Sequence, residues 1–192
     1  MTLPERVIAL HRALAKPRIP HAFGGAIALA YWTQDPRGTS DIDLNIFVPT
    51  DACARALRKL PDDVTQPSDA EDTVTRDGQI RVWWDETPVD LFFNYAEVHE
   101  EAARHRQTVP FAGTRIPILG PIELAIFKVM FDRTRDWADV EAMLGAGTLD
   151  LDATRSGLQA LLDVADHRFA RLDDAVRRAA ASHPGGRGFE SP

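Results

Sequence analysis

The 192-residue chain is 44% hydrophobic and 27% charged, with a net charge of −7, ordinary values for one globular domain able to bury a core. No apolar run reaches the roughly 18 residues of a membrane span, and the N-terminus interleaves Glu5, Arg6, His11 and Arg12 with its apolar residues, unlike a secretion signal. A single Cys53 excludes an internal disulfide framework and a multi-cysteine zinc site, which fits a cytoplasmic protein, and the acidic balance argues against a chain devoted to coating nucleic acid.

Leu3 to Ala15 carries apolar residues at Leu3, Val7, Ile8, Leu10 and Leu14, which predicts an amphipathic helix behind a Thr2 cap with Pro4 in its first turn. Pro17 and Pro20 end it, and Ile19 to Phe23 brings an extended piece to Gly24. Ala26 to Trp32 reads as a helix, Asp35-Pro36-Arg37-Gly38 as a turn, and Ile42 to Val48 as the first strand. Pro49-Thr50-Asp51 starts a helix over Ala52 to Leu60, and the acidic stretch Pro61 to Asp72 reads as a loop. Gln79 to Asp85 and Val89 to Asn94 are strands joined by Glu86-Thr87-Pro88, and Tyr95 to His105 is a helix. Thr108 to Phe111 and Arg115 to Leu119 flank Ala112-Gly113-Thr114 in a hairpin. Beyond Pro121 the pattern is helical, over Ile122–Phe131, Trp137–Leu144, Thr154–Ala165 and Arg168–Ala181. The expected class is α/β (α+β), a mixed sheet flanked by helices with a helical C-terminal extension. Its expected parts are a core over 1–119, a helical region over 120–181 and a flexible tail over 182–192.

The chemistry concentrates between Phe23 and Val48. In a strand, residues two apart share a face, so Asp41 and Asp43 project together while Ile42, Leu44 and Ile46 project the other way. Two adjacent carboxylates are costly unless a cation sits between them. Asp90, in a later strand, adds a third if that strand pairs beside the first; Asp85 is the fallback. Three carboxylates can hold two Mg²⁺ ions roughly 4 Å apart, one activating a hydroxyl and one neutralising phosphates. Gly24-Gly25 lets backbone approach an anion closely, and the helix that follows offers its positive end.

Gly-Gly, a helix, Arg37-Gly38-Thr39-Ser40-Asp41-Ile42-Asp43-Leu44 and a strand-borne Asp90 together resemble the nucleotidyltransferase superfamily with the DNA polymerase β-like fold. Lys128, Arg133, Arg135-Asp136 and Asp139, in FKVMFDRTRDWADVEAML, are similar to the C-terminal motif of AbiEii-type toxins, with Arg135 where a Lys is more usual. The resemblance spans about Phe23 to Leu144. It implies Mg²⁺-dependent transfer of a nucleoside monophosphate from an NTP to a hydroxyl on tRNA, protein or a small molecule, and an antitoxin as a potential partner. It further implies that Asp41, Asp43 and Asp90 bind the metals, with Asp90 also helping to take the acceptor proton. Gly24, Gly25 and Ser40 would hold the triphosphate, Lys128 would contact the nucleotide, and Asp136 would orient Lys128 or serve the acceptor.

Competing readings exist for most of these residues. Asp41-Ile42-Asp43-Leu44-Asn45 mimics an EF-hand start, but Ile46 stands where Gly is required and Ala52 where the bidentate Glu belongs. Of the consecutive Trp83 and Trp84, one belongs to the core and the other is a candidate base-stacking surface. His21 reads as a surface polar residue, Asp136 also as an N-cap for a helix at Trp137, and Arg171, Arg177, Arg178 and Arg187 as a solvated basic face. The alternative to an enzyme is a catalytically silent module of the same fold acting through protein contact.

Overall fold

The computed structural model describes residues 1–36 and 38–182; Arg37 of the expected turn, Arg187 and the tail from residue 183 onward lie outside the described residues. The chain forms two compact units. The first comprises Met1–Ala30 with Pro36–Gly120, and the second Tyr31–Asp35 with the chain from Pro121 onward. Among the described residues no helix is long and apolar enough to cross a membrane.

The first unit opens with α1 (Leu3–Ala15), where Glu5 accepts a hydrogen bond from the Thr2 backbone N–H at 2.7 Å and closes the expected cap. It continues through β1 (His21–Phe23), α2 (Gly25–Thr33), whose residues from Tyr31 on are counted in the second unit, and β2 (Ile42–Pro49). Next come α3 (Ala54–Leu57), β3 (Val64–Thr65), α4 (Ala70–Asp77), β4 (Gln79–Trp84), β5 (Thr87–Asn94), α5 (Glu97–His105), β6 (Gln107–Phe111) and β7 (Thr114–Ile118). The strands make one seven-stranded mixed sheet in the order β3-β4-β5-β2-β1-β7-β6.

Alternation decides which sheet face is core. Ile80, Val82 and Trp84 of β4, Val89, Leu91 and Phe93 of β5, and Ile42, Leu44 and Ile46 of β2 are all buried. Each such side chain contributes roughly 1.5–3 kcal/mol through burial. Asp90 and Phe92 stand only half-buried, and Gln79, Arg81 and Trp83 are exposed, so β4 and β5 carry their polar residues on the opposite face. Trp84 is thus the core tryptophan and Trp83 the exposed one.

Several expectations are corrected. The helix over Ala52–Leu60 is a single 3₁₀ turn at Thr50–Ala52 followed by the one-turn α3. The expected loop Pro61–Asp72 holds β3 and the start of α4. Glu71 and Asp72 in α4's first turn, Arg76 in its last and a left-handed Gly78 (φ 71°) after its end are the usual helix signals. The β4–β5 connection is Asp85-Glu86 rather than Glu86-Thr87-Pro88, with Asp85 at φ 51°. The expected β6–β7 hairpin is present, but its turn is Ala112-Gly113, at φ 44° and 81°, with Thr114 already paired opposite Phe111.

The second unit holds α6 (Pro121–Phe131), α7 (Thr134–Gly145), α8 (Leu151–Gln159) and α9 (His167–Ser182). Here α8 ends six residues before the expected Ala165. Asp136 is not an N-cap: α7 starts at Thr134, Arg133 holds the cap position and Asp136 lies inside the first turn.

Candidate active site

Backbone pairing builds the site. β2 and β5 run parallel with Asp43 opposite Asp90. Partners across a parallel pair project to the same side, so Asp43 and Asp90 stand on one face; Asp41 lies one residue before β2, and its charge acts with that of Asp43 on Arg81, which holds Asp90. Asp85, the fallback, sits instead in the β4–β5 turn, where Arg6 takes it at 2.7 Å. The Thr39 hydroxyl donates to Asp41 Oδ1 at 2.6 Å, and Ser40 is exposed at the bend just before β2.

The glycine pair is required by the packing around Asp43. The Gly24 N–H donates to the Asp43 carbonyl at 2.9 Å, so it is already committed within the sheet. Gly25 has φ +47°, and a Cβ there would lie 1.7 Å from Asp43 Oδ2. A Cβ on Gly24 would press on Asn45 Nδ2 and Leu119 Cδ1, each at 3.0 Å. The Asp43 carboxylate therefore rests against the start of α2, whose positive end favours a negative charge. Gly25→Ala meets both a steric collision and an unfavourable φ. It is expected to lower stability by about 1–3 kcal/mol and to displace Asp43, read as a lower urea midpoint.

The sequence reading missed Arg81. In the antiparallel β4–β5 pair Arg81 lies opposite Asp90, and its guanidinium donates from Nε to Oδ1 and from one terminal nitrogen to Oδ2, both at 2.7 Å. Hydrogen bonding to Asp90 first, then its charge, raises the Arg81 pKa, and Asp41 and Asp43 add to the effect. Trp83 stands two residues along the same strand, 45% exposed on the same face.

The donor set suits a hard divalent cation, since every candidate ligand is a carboxylate oxygen. Yet among the described residues no three His, Cys, Asp or Glu side chains converge as a metal-holding cluster. Both oxygens of Asp90 are engaged by Arg81, which neutralises the member nearest β4.

Lys128 and Asp136 are brought together inside the second unit, but deep within it. The Lys128 ammonium lies 2.6 Å from Asp139 and 3.5 Å from Asp136, and Arg133 grips Asp136 with its Nε at 2.6 Å. Lys128, Asp136 and Asp139 are 7%, 1% and 2% exposed. Two cations thus face two carboxylates. The C-terminal arginines are spent likewise, Arg171 on Asp132, Arg177 on Asp174 and Arg178 on Glu141, so the expected basic face is charge-paired.

His21 is the other correction. It is buried at 4% exposure, not at the surface. Its Nδ1 lies 2.8 Å from the Ile19 carbonyl, which can only accept, so Nδ1 carries the proton. Nε2 is then an acceptor, and it receives the Nδ1–H of His11 at 2.9 Å.

No protein-family model matches the chain, and no curated protein matches it in sequence. Among solved structures, a nucleotidyltransferase-like antigenic protein from Paracoccidioides brasiliensis superposes with a TM-score of 0.51 at 18% identity, over 91% of this chain and 92% of that one. The antibiotic-resistance factor ANT(2'')-Ia superposes with a TM-score of 0.51 at 14% identity, over 94% and 95% of the two chains.

Proposed function

Starting from a chain that has the nucleotidyltransferase fold, we propose that it transfers a nucleoside monophosphate from an NTP to an acceptor hydroxyl at the carboxylate face of β2 and β5. The observation that carries this reading is the Asp43–Asp90 register, with Asp41 one residue before β2 and Gly25 leaving room for the Asp43 carboxylate. Asp41 and Asp43 would hold divalent cations, and Asp90 would complete the site and take the acceptor proton. Bound there, Mg²⁺ supplies neutralisation of the triphosphate and a more acidic acceptor hydroxyl. Gly24, Gly25 and the exposed Ser40 line the approach for phosphates, with the start of α2 contributing its positive end. Trp83 offers a flat, exposed surface near Asp90 on which an acceptor base or ring can stack. Lys128 and Asp136 are assigned no contact with reacting atoms, because their charges are matched inside the helical unit. A cytoplasmic location rests on the single cysteine, and an antitoxin partner and the choice among tRNA, protein and small-molecule acceptors rest on the sequence resemblance.

The test is incubation of the purified chain with Mg²⁺, each α-labelled NTP, and separate RNA, protein and small-molecule fractions, alongside calorimetric titration of Mg·NTP. Label moving into one fraction, with Asp43→Asn reducing it at least about a hundredfold in a chain of unchanged circular dichroism, is the expected result. Undiminished NTP binding in a folded Asp41→Ala/Asp43→Ala variant would overturn the site assignment. The grip of Arg81 on Asp90 favours a second reading, a silent module of the same fold. That reading requires no label transfer and no NTP binding by the native chain.

A further inference from the structure

Arg81 is not needed to hold the sheet together. β4 and β5 are already zipped over six register pairs from Gln79–Phe92 to Trp84–Thr87, so the ladder itself is built without the Arg81–Asp90 ion pair. What Arg81 does have is position. Its fork meets both oxygens of Asp90, the carboxylate opposite Asp43, and it also lies in the field of Asp41. A guanidinium fork matches carboxylate and phosphate in the same bidentate way, and the Arg81 side chain is open to solvent where an anion can reach it.

We infer that Arg81 is a positioning residue that occupies Asp90 as a resident counter-cation, competes there with a divalent metal ion, and exchanges the carboxylate for the triphosphate when nucleotide and metal arrive together. The inference rests on the reading of Asp41, Asp43 and Asp90 as a metal site. Without nucleotide, the three acidic groups repel each other less because Arg81 balances one of them, and a metal entering alone must displace it. With an NTP present, the phosphates give the guanidinium a second anionic partner, so Asp90 is released at little cost. The arrangement favours loading of metal and nucleotide together over metal alone.

The test reads metal binding rather than turnover. Mn²⁺ affinity is measured on the full chain, from the electron-spin-resonance signal of free Mn²⁺, for the native protein, R81Q, R81K, D90N, D43N and the R81Q/D90N double variant. Affinity for an NTP analogue with a non-cleavable α–β bridge is measured in parallel. In R81Q, Mn²⁺ alone is expected to bind about fivefold tighter while the analogue binds about fivefold weaker. R81K, which keeps the charge but loses the fork, falls between the two. In the D90N background the R81Q substitution no longer changes Mn²⁺ affinity. An R81Q chain that binds Mn²⁺ no tighter than the native one, while D43N and D90N weaken binding, overturns this inference and leaves the proposed site standing. Mn²⁺ affinity unaffected by D43N and D90N, or Mn²⁺ binding to none of these proteins, overturns both. R81Q and D90N alter partly exposed positions on the outer sheet face, and circular dichroism with a urea midpoint verifies that each variant is folded.

Discussion

Replacing Lys128 by Met is expected to cost about 3–5 kcal/mol of folding stability, more than any other single change considered for this protein. The reason is the balance of charge around a side chain that is only 7% exposed. With the ammonium gone, Asp139 loses the cation 2.6 Å away, while Asp136 keeps Arg133. The buried carboxylate pair then faces one cation fewer, and removing one partner of a buried ion pair costs far more than the pair was stabilising. Urea denaturation of the native chain and K128M measures the loss directly. The double variant K128M/D139L, which removes both partners of the shortest contact, is expected to recover most of it. A K128M chain within about 0.5 kcal/mol of the native one would show that the network contributes little. The consequence for function is practical: loss of activity in a Lys128 variant means nothing until its folded fraction is known.

The second large effect is a fall in stability with acid, centred on His21. Burial pushes the His21 pKa down to about 4, against the hydrogen bond to Ile19, which works the other way; the charges of His11 and Arg106 lower it further. The unfolded chain has an ordinary histidine with a pKa of about 6.5. The folded pKa is the lower of the two, so the unfolded state binds the proton first as pH falls. The stability held by neutral His21 is therefore complete above about pH 6.5 and is lost as pH falls toward 4, in total about 3 kcal/mol. His11 and His99, both lowered chiefly by burial, act in the same direction. Other groups facing His21 include the Arg106 cation and the apolar Phe23 ring, whose edge-on contact has a centroid separation of 6.3 Å. Urea-unfolding free energies for the native chain and H21Q at several pH values between 7.5 and 4 isolate the contribution. Their difference should shrink with acid by most of that amount. Parallel curves would show that His21 is not the responsible group.

Some of this molecule is legible one segment at a time. The period-two pattern in Ile42–Val48 sorts Asp41 and Asp43 onto one face and Leu44 and Ile46 onto the other, because side-chain direction in a strand is a local property. The limits of α1 follow from Thr2, Pro4 and the apolar spacing up to Leu14, with Pro17 just beyond. Even α4, absent from the sequence reading, shows its signals in hindsight: acidic residues in its first turn and Gly78 after its last. It was hidden by composition, since AEDTVTRD is mostly polar and buries only Ala70 and Val74, a single i, i+4 pair.

The site is a different matter, because its decisive contacts depend on register and depth. Placing the β4–β5 turn at Glu86-Thr87-Pro88 sets Arg81 opposite Phe93; the actual Asp85-Glu86 turn sets it opposite Asp90. A shift of that size in a connection decides whether a carboxylate has a guanidinium on it. Likewise Lys128 and Asp136 look like a substrate-facing pair in the chain, and only packing of α6 against α7 closes them on Asp139 and away from water. By itself the amino-acid order determined which residue types are present and the helices and strands with strong periodicity. The tertiary structure decided that β5 lies parallel to β2 with Asp90 beside Asp43, that Arg81 balances it, and that His21 and Lys128 are buried. Periodicity is set by neighbours a few residues away, whereas strand order and burial depend on which distant surfaces exclude water together.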